Sequence, residues 1–179
     1  WQANRRSCTP LYQNMATSMP GGAPSLVAEH PQQMTCIVAQ EGQAAVVQRP
    51  VPVPTGREVL IRVAATALNR ADTLQRKGLY PPPPGAPDIL GLEASGEVLG
   101  AGPGCELPLS NPGSRVMTLL GGGGYGEFVC VDERMLMPVP QGWSMAQAAA
   151  TPETWLTCYQ LLYRVARLEA GDTLLVHAA

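Results

Sequence analysis

The chain has a single lysine, Lys77, and its 12 Lys+Arg residues against 14 Asp+Glu leave a net charge of -2. No basic stripe exists that could neutralise a row of phosphates, so nucleic-acid binding is excluded as an expectation. There are two histidines, His30 and His177, and neither has a partner at metal-ligand spacing. The five cysteines (Cys8, Cys36, Cys105, Cys130, Cys158) include no CxxC pair, which reads as reduced thiols in a cytoplasmic protein and not as a disulfide framework. Apolar runs such as 173–176 fall far short of the roughly 20 residues of a membrane span, so no membrane association is expected.

What is plentiful is turn chemistry. The 19 glycines and 18 prolines favour short strands joined by turns over a helical bundle. Residues 1–33 show neither helical nor strand periodicity and read as a disordered extension. Arg5, Arg6 and the lack of acid before Glu29 hint at a transit peptide, but Pro10, Pro20 and Pro24 argue against its amphipathic helix.

From Met34 the pattern is β. Residues 35–39 and 45–48 form an expected hairpin around Glu41-Gly42, and Pro50, Pro52 and Pro54 an extended connection. Residues 58–65 alternate around Val59, Ile61 and Val63 as a half-buried strand. Residues 71–77 make two helical turns ended by Gly78, and strands follow at 93–100, 115–120 and 127–131. The fold class is therefore mainly β, a partly open antiparallel barrel. Helices start at Ser144, with a capping box to Gln147, and at Thr151-Pro152, where Thr151 caps. The second helix runs to about Arg167 with a buried apolar face, and residues 173–177 read as a buried parallel strand.

Gly121, Gly123 and Gly126 satisfy G-x-G-x-x-G, but a dinucleotide fingerprint opens a helix, and strand-forming residues 127–131 follow here. A tight loop that permits close approach is the better reading.

Residues 63–98 carry the most specific signal, with Asn69-Arg70-Ala71-Asp72, Tyr80 before Pro81–Pro84, and Gly91-Leu92-Glu93-Ala94-Ser95-Gly96. Together they resemble the zinc-free quinone oxidoreductases of the medium-chain dehydrogenase/reductase superfamily, close to the p53-inducible type, from about Met34 to Ala179. The resemblance implies a GroES-like catalytic domain over 34–150 and the first helix and strand of a Rossmann α/β domain over 151–179, truncated before its phosphate loop. Zinc-dependent relatives place a cysteine at Asn69 and a histidine at Leu92, and neither Asn nor Leu replaces those ligands. No metal is therefore expected.

The resemblance further implies NADPH as cofactor, a small-molecule quinone as substrate and a homodimer for the full-length protein. It makes Tyr80 and Asn69 catalytic and Asn69 and Thr157 cofactor-binding; Glu93 and Asp72 read as structural. The chain alone is expected to be inactive. Two alternatives stand beside this, an enoyl reductase of the same superfamily and a non-catalytic truncated product or interaction module.

Overall fold

The computed structural model describes residues 30–177. Strands β1 (Gln33–Gln40) and β2 (Gln43–Pro50) form the expected hairpin, with Glu41 and Gly42 both at positive φ in its turn. Strands β3 (Glu58–Thr66), β4 (Glu93–Ala101), β5 (Arg115–Leu119), β6 (Phe128–Asp132) and β7 (Leu136–Pro138) form a second sheet. Its order is β6-β3-β4-β5-β7 and every pairing is antiparallel. Single bridges, Cys36 to Gly126 and Val38 to Ile89, tie the hairpin to the loops of that sheet. The result is the mainly β, partly open architecture expected from the turn-rich sequence, of the GroES-like kind that the resemblance implied.

One strand departs from its sequence pattern. The alternation at β3 suggested one buried face, yet Val59, Leu60 and Ile61 are all fully buried. Leu60 packs into a cluster with Met34, Cys36 and Phe128, whereas Val59 and Ile61 enter another with Val98, Val116 and Leu136. The strand lies between two apolar clusters, and each such side chain contributes about 1.5–3 kcal/mol by leaving water. Across the sheet, β4 approaches β3 so closely that a Cβ on Gly96 would lie 2.1 Å from the Arg62 carbonyl oxygen. Only glycine fits at that register position.

Further departures concern the ends. Residues 1–29 lie outside the described residues, so the expected disordered extension falls largely there. Residues 30–33 do not belong with it. The Gln32 carbonyl accepts from the Val51 N–H, His30 packs on Phe128 with ring centroids 5.9 Å apart, and Gln33 opens β1.

Helix α1 (Arg70–Arg76) and helix α2 (Met145–Ala149), with its Ser144–Gln147 capping box, form as read. Helix α3 (Pro152–Tyr159) continues as a π-helical stretch over Gln160–Val165. Thr151 does not cap it through its side chain; its hydroxyl donates instead to the Gln147 carbonyl. The face expected to be buried is exposed, because no described layer packs on it: Leu156, Tyr159 and Tyr163 all face outward. Residues 173–177 form no strand, since no neighbouring strand is present among the described residues to pair with them.

The loop over residues 106–110 is fixed by Glu133, whose side chain is fully buried. Its oxygens accept from Arg57, the Glu106 and Leu107 N–H groups and the Ser110 hydroxyl, all at 2.7–2.8 Å. Burial alone would push this carboxyl up. The Leu107 N–H, the Ser110 hydroxyl, the Glu106 N–H and the Arg57 charge outweigh it and hold the pKa below its ordinary value.

Candidate active site

Strand β3 ends at Thr66, and the chain reaches Asn69 in extended backbone (φ -118, ψ 154) at the mouth of α1. Asp72 reaches back from the first turn of α1, and its Oδ2 accepts the Asn69 N–H at 2.7 Å. That bond satisfies a donor the helix itself leaves unpaired. The Asn69 side chain is held separately, its Nδ2 donating to Glu93 Oε1 at 2.8 Å.

Glu93 is 1 % exposed, and its other oxygen accepts the Glu153 N–H in the first turn of α3 at 2.8 Å. Its backbone carbonyl takes the Thr66 hydroxyl at 2.7 Å. One buried residue of β4 thus fastens β3, through its backbone carbonyl, and α1 and α3, through its carboxylate, whose two oxygens both accept hydrogen bonds from described residues. A helix N-terminus with its positive dipole end is a favourable place for such a charge.

Asp72 is 4 % exposed and has a second donor, the Tyr125 hydroxyl, at 2.8 Å from Oδ2, while its Oδ1 has no partner among the described residues. Tyr125 stands in the loop of glycines over residues 121–126. The loop lies against residues 89–93, where a Cβ on Gly91 would come within 2.5 Å of the Tyr125 nitrogen. The loop runs into β6 and opens no helix, as its following residues suggested. Burial, then the bond to Asp72 and the charges of Asp72 and Glu93, push the Tyr125 phenol well above its ordinary pKa, so it stays a donor. The Glu153 carboxyl is raised as well, by burial first and then by the charges of Glu93 and Asp72.

The residues singled out from sequence are placed unevenly. Asn69, Asp72 and Glu93 are brought together. Tyr80 is 48 % exposed beyond α1, followed by the exposed Pro81–Pro84, and Thr157 is exposed on α3. No hydrogen bond among the described residues links either of them to Asn69. Leu92 is buried, and among the described residues no three His, Cys, Asp or Glu side chains are grouped to hold a metal.

Beside Asn69 lies an open cavity of about 610 Å³, lined by Thr66, Leu68 and Tyr125 among others but not by Asn69, Tyr80 or Thr157. Tyr125 is the site residue that sequence reasoning missed. Its only signal was an aromatic ring inside a glycine loop, and its partner Asp72 is 53 positions away.

A GroES-like domain is the class this architecture defines, and residues 55–141 match the alcohol dehydrogenase GroES-like domain family. The chain is 41 % identical over 127 residues to a quinone oxidoreductase of Pseudomonas aeruginosa, covering 70 % of this chain and 38 % of that protein. It is 40 % identical over 121 residues to the phenolphthiocerol synthesis polyketide synthase type I Pks15/1 of Mycobacterium bovis, covering 68 % of this chain and 5 % of that protein. The solved structure of the CurK enoyl reductase matches with a TM-score of 0.69 at 25 % identity, over 79 % of this chain and 46 % of that one. The chain therefore spans less than half the length of each of these relatives. Fold and matches support the medium-chain dehydrogenase/reductase superfamily, a superfamily of oxidoreductases.

Proposed function

We propose that this chain supplies the catalytic domain of an NADPH-dependent quinone oxidoreductase that works without a metal. The observation that carries the reading is the fixed orientation of Asn69. A carboxylate oxygen only accepts, so the Asn69 amide presents Nδ2 to Glu93 and turns Oδ1 the other way, toward the first turn of α1, where it makes no full side-chain cap hydrogen bond. An amide oxygen accepts from a hydroxyl, either a ribose hydroxyl of the cofactor or the O–H of a newly formed hydroquinone. Leu92, beside Glu93, offers no ligand atom. A quinone is a strong hydride acceptor that needs little Lewis-acid assistance, so positioning is the main demand on the protein.

Asn69 and the exposed Thr157 hydroxyl suit the nicotinamide end of the cofactor, which supplies the hydride when bound. Tyr80, on a loop stiffened by Pro81–Pro84, covers the flat acceptor with its ring and offers its hydroxyl to a quinone oxygen. The domain reading carries over: 34–150 as the catalytic domain, 151–179 as the start of a nucleotide-binding domain. A homodimer of the full-length protein and a cytoplasmic location belong to the same proposal. Among the described residues no helix is long and apolar enough to cross a membrane.

The likeness to Pks15/1 and to CurK enoyl reductase favours one second reading, reduction of an enoyl thioester. A chimera joining residues 30–177 to the remainder of the Pseudomonas aeruginosa quinone oxidoreductase separates the two. With NADPH and EDTA present, turnover of duroquinone but not of crotonyl thioester is expected. Preference for the thioester establishes the second reading, and a chimera that binds NADPH yet reduces neither compound overturns both.

A further inference from the structure

We propose that the cavity beside Asn69 receives the neutral, apolar tail of a tail-bearing quinone, whose ring is held at Asn69; this rests on the quinone reading above. The cavity lies between the β1–β2 hairpin and the C-terminal half of β3. Ile37, Val63 and Ala65 contribute apolar walls, and Val46 and Leu68, 72 % and 88 % exposed, stand among its lining. Its volume of about 610 Å³ falls within the roughly 300–1,000 Å³ usual for small-molecule sites.

The state of its polar lining groups decides the chemistry of the occupant. The Tyr125 hydroxyl is committed to Asp72, and the Thr66 hydroxyl to the Glu93 carbonyl. The Thr35 hydroxyl accepts from Gln48, and the Thr35 N–H donates to Glu127. Among these hydroxyls only the Thr35 O–H has no acceptor among the described residues, so most polar atoms of a ligand buried here would go uncompensated. Apolar surface has the opposite balance. The one ionisable carboxylate in the lining, Glu127, disfavours an anionic tail such as a phosphopantetheine arm.

Continuity with the candidate site fixes how the ligand lies. Leu68 adjoins Asn69 in the chain, Thr66 is bonded to the residue that orients Asn69, and Tyr125 is bonded to the residue that caps it. A ring at Asn69 therefore has the cavity directly beside it, with Val46 of β2 in the lining.

The test is direct binding to the 179-residue chain, comparing decylubiquinone with duroquinone by fluorescence titration. Both rings are fully substituted, so neither adds covalently to the exposed thiol of Cys158. Decylubiquinone is expected to bind at least about tenfold more tightly, the effect of burying roughly two methylene groups. Val46→Asp is expected to erase that advantage while leaving duroquinone affinity unchanged. Val53→Asp, equally exposed but outside the cavity, is expected to leave both affinities unchanged.

Equal affinity for the two quinones, or no binding of decylubiquinone, overturns the proposal. So does an equal loss in the two variants, which would mean nonspecific adsorption or a different site. Tail-dependent binding erased by Val46→Asp in a protein whose chimera reduces no quinone would leave the apolar site standing and remove the quinone reductase reading.

Discussion

Replacing Tyr125 by Phe removes one oxygen atom and leaves the ring where it packs. The lost group is the donor to Asp72 Oδ2 at 2.8 Å. Asp72 is 4 % exposed, its Oδ1 has no described partner, and Asn69 N–H would then be its remaining donor. A hydrogen bond to a charged group contributes about 1.5–3 kcal/mol, and a buried acceptor stripped of its donor falls in that range. A loss of about 2 kcal/mol lowers Tm by roughly 4–8 °C for a chain of this size.

Urea and thermal melts followed by circular dichroism measure the loss, with Tyr80→Phe as comparator. The Tyr80 side chain is about half exposed, and its hydroxyl change is expected to stay within about 0.5 kcal/mol. Asp72→Asn in the Tyr125→Phe background is expected to cost less than the same change in the wild-type protein, because the two groups act as a pair. If Tyr125→Phe melts with the wild type, the phenol–carboxylate bond does not hold this corner together and the reasoning about Asn69's support fails.

Three other outcomes follow from the same physics. Gly96→Ala is expected to cost about 3 kcal/mol or more, or to prevent folding, since its methyl would meet the Arg62 carbonyl; Gly42→Ala, in open space at φ +76, is expected to cost clearly less, read from soluble yield and urea midpoints.

Among the described cysteines, Cys158 is expected to react with a thiol reagent at pH 8 long before Cys36 or Cys130, which mass spectrometry of labelled peptides checks. Burial, with the Glu58 charge behind it, pushes the Cys130 thiol up to about 12 from 9.0. The folded state therefore retains this proton where the unfolded state loses it. Stability from this group is complete below pH 9 and lost on the way to pH 12, and Cys130→Val is expected to flatten that decline in urea midpoints.

The barrel strands were legible because each carries its own local signal. The hairpin turn at Glu41-Gly42, the prolines at 50, 52 and 54 and the β-branched run of β3 are all short-range features. What the alternation at Val59, Leu60 and Ile61 did not reveal is that both faces of β3 are covered, because the second cover comes from a hairpin more than ten residues upstream. Strand β7 was missed for a related reason, since Leu136–Pro138 is short and contains a proline. A lone three-residue strand has no periodicity of its own.

The candidate site was legible as residue types and not as an arrangement. Asn69, Asp72 and Glu93 stood out in the sequence, and Asp72 and Glu93 act in the structural roles expected of them. Tyr125 could not be found, because a contact across 53 positions depends on the glycine loop lying against residues 89–93. At the C-terminus the expected burial and the expected strand are not seen. Apolar residues at helical spacing in α3 and a run of apolar residues at 173–176 imply burial only if partners are present, and none is among the described residues.

The most direct measurement of the central claim is kcat/KM for duroquinone in the chimera, with EDTA present, for the wild type and for Asn69→Ala. Metal-independent turnover that falls by on the order of a hundredfold in the variant, the scale of a lost positioning contact, is the predicted result. Turnover that needs zinc, or that is indifferent to Asn69, would contradict the account.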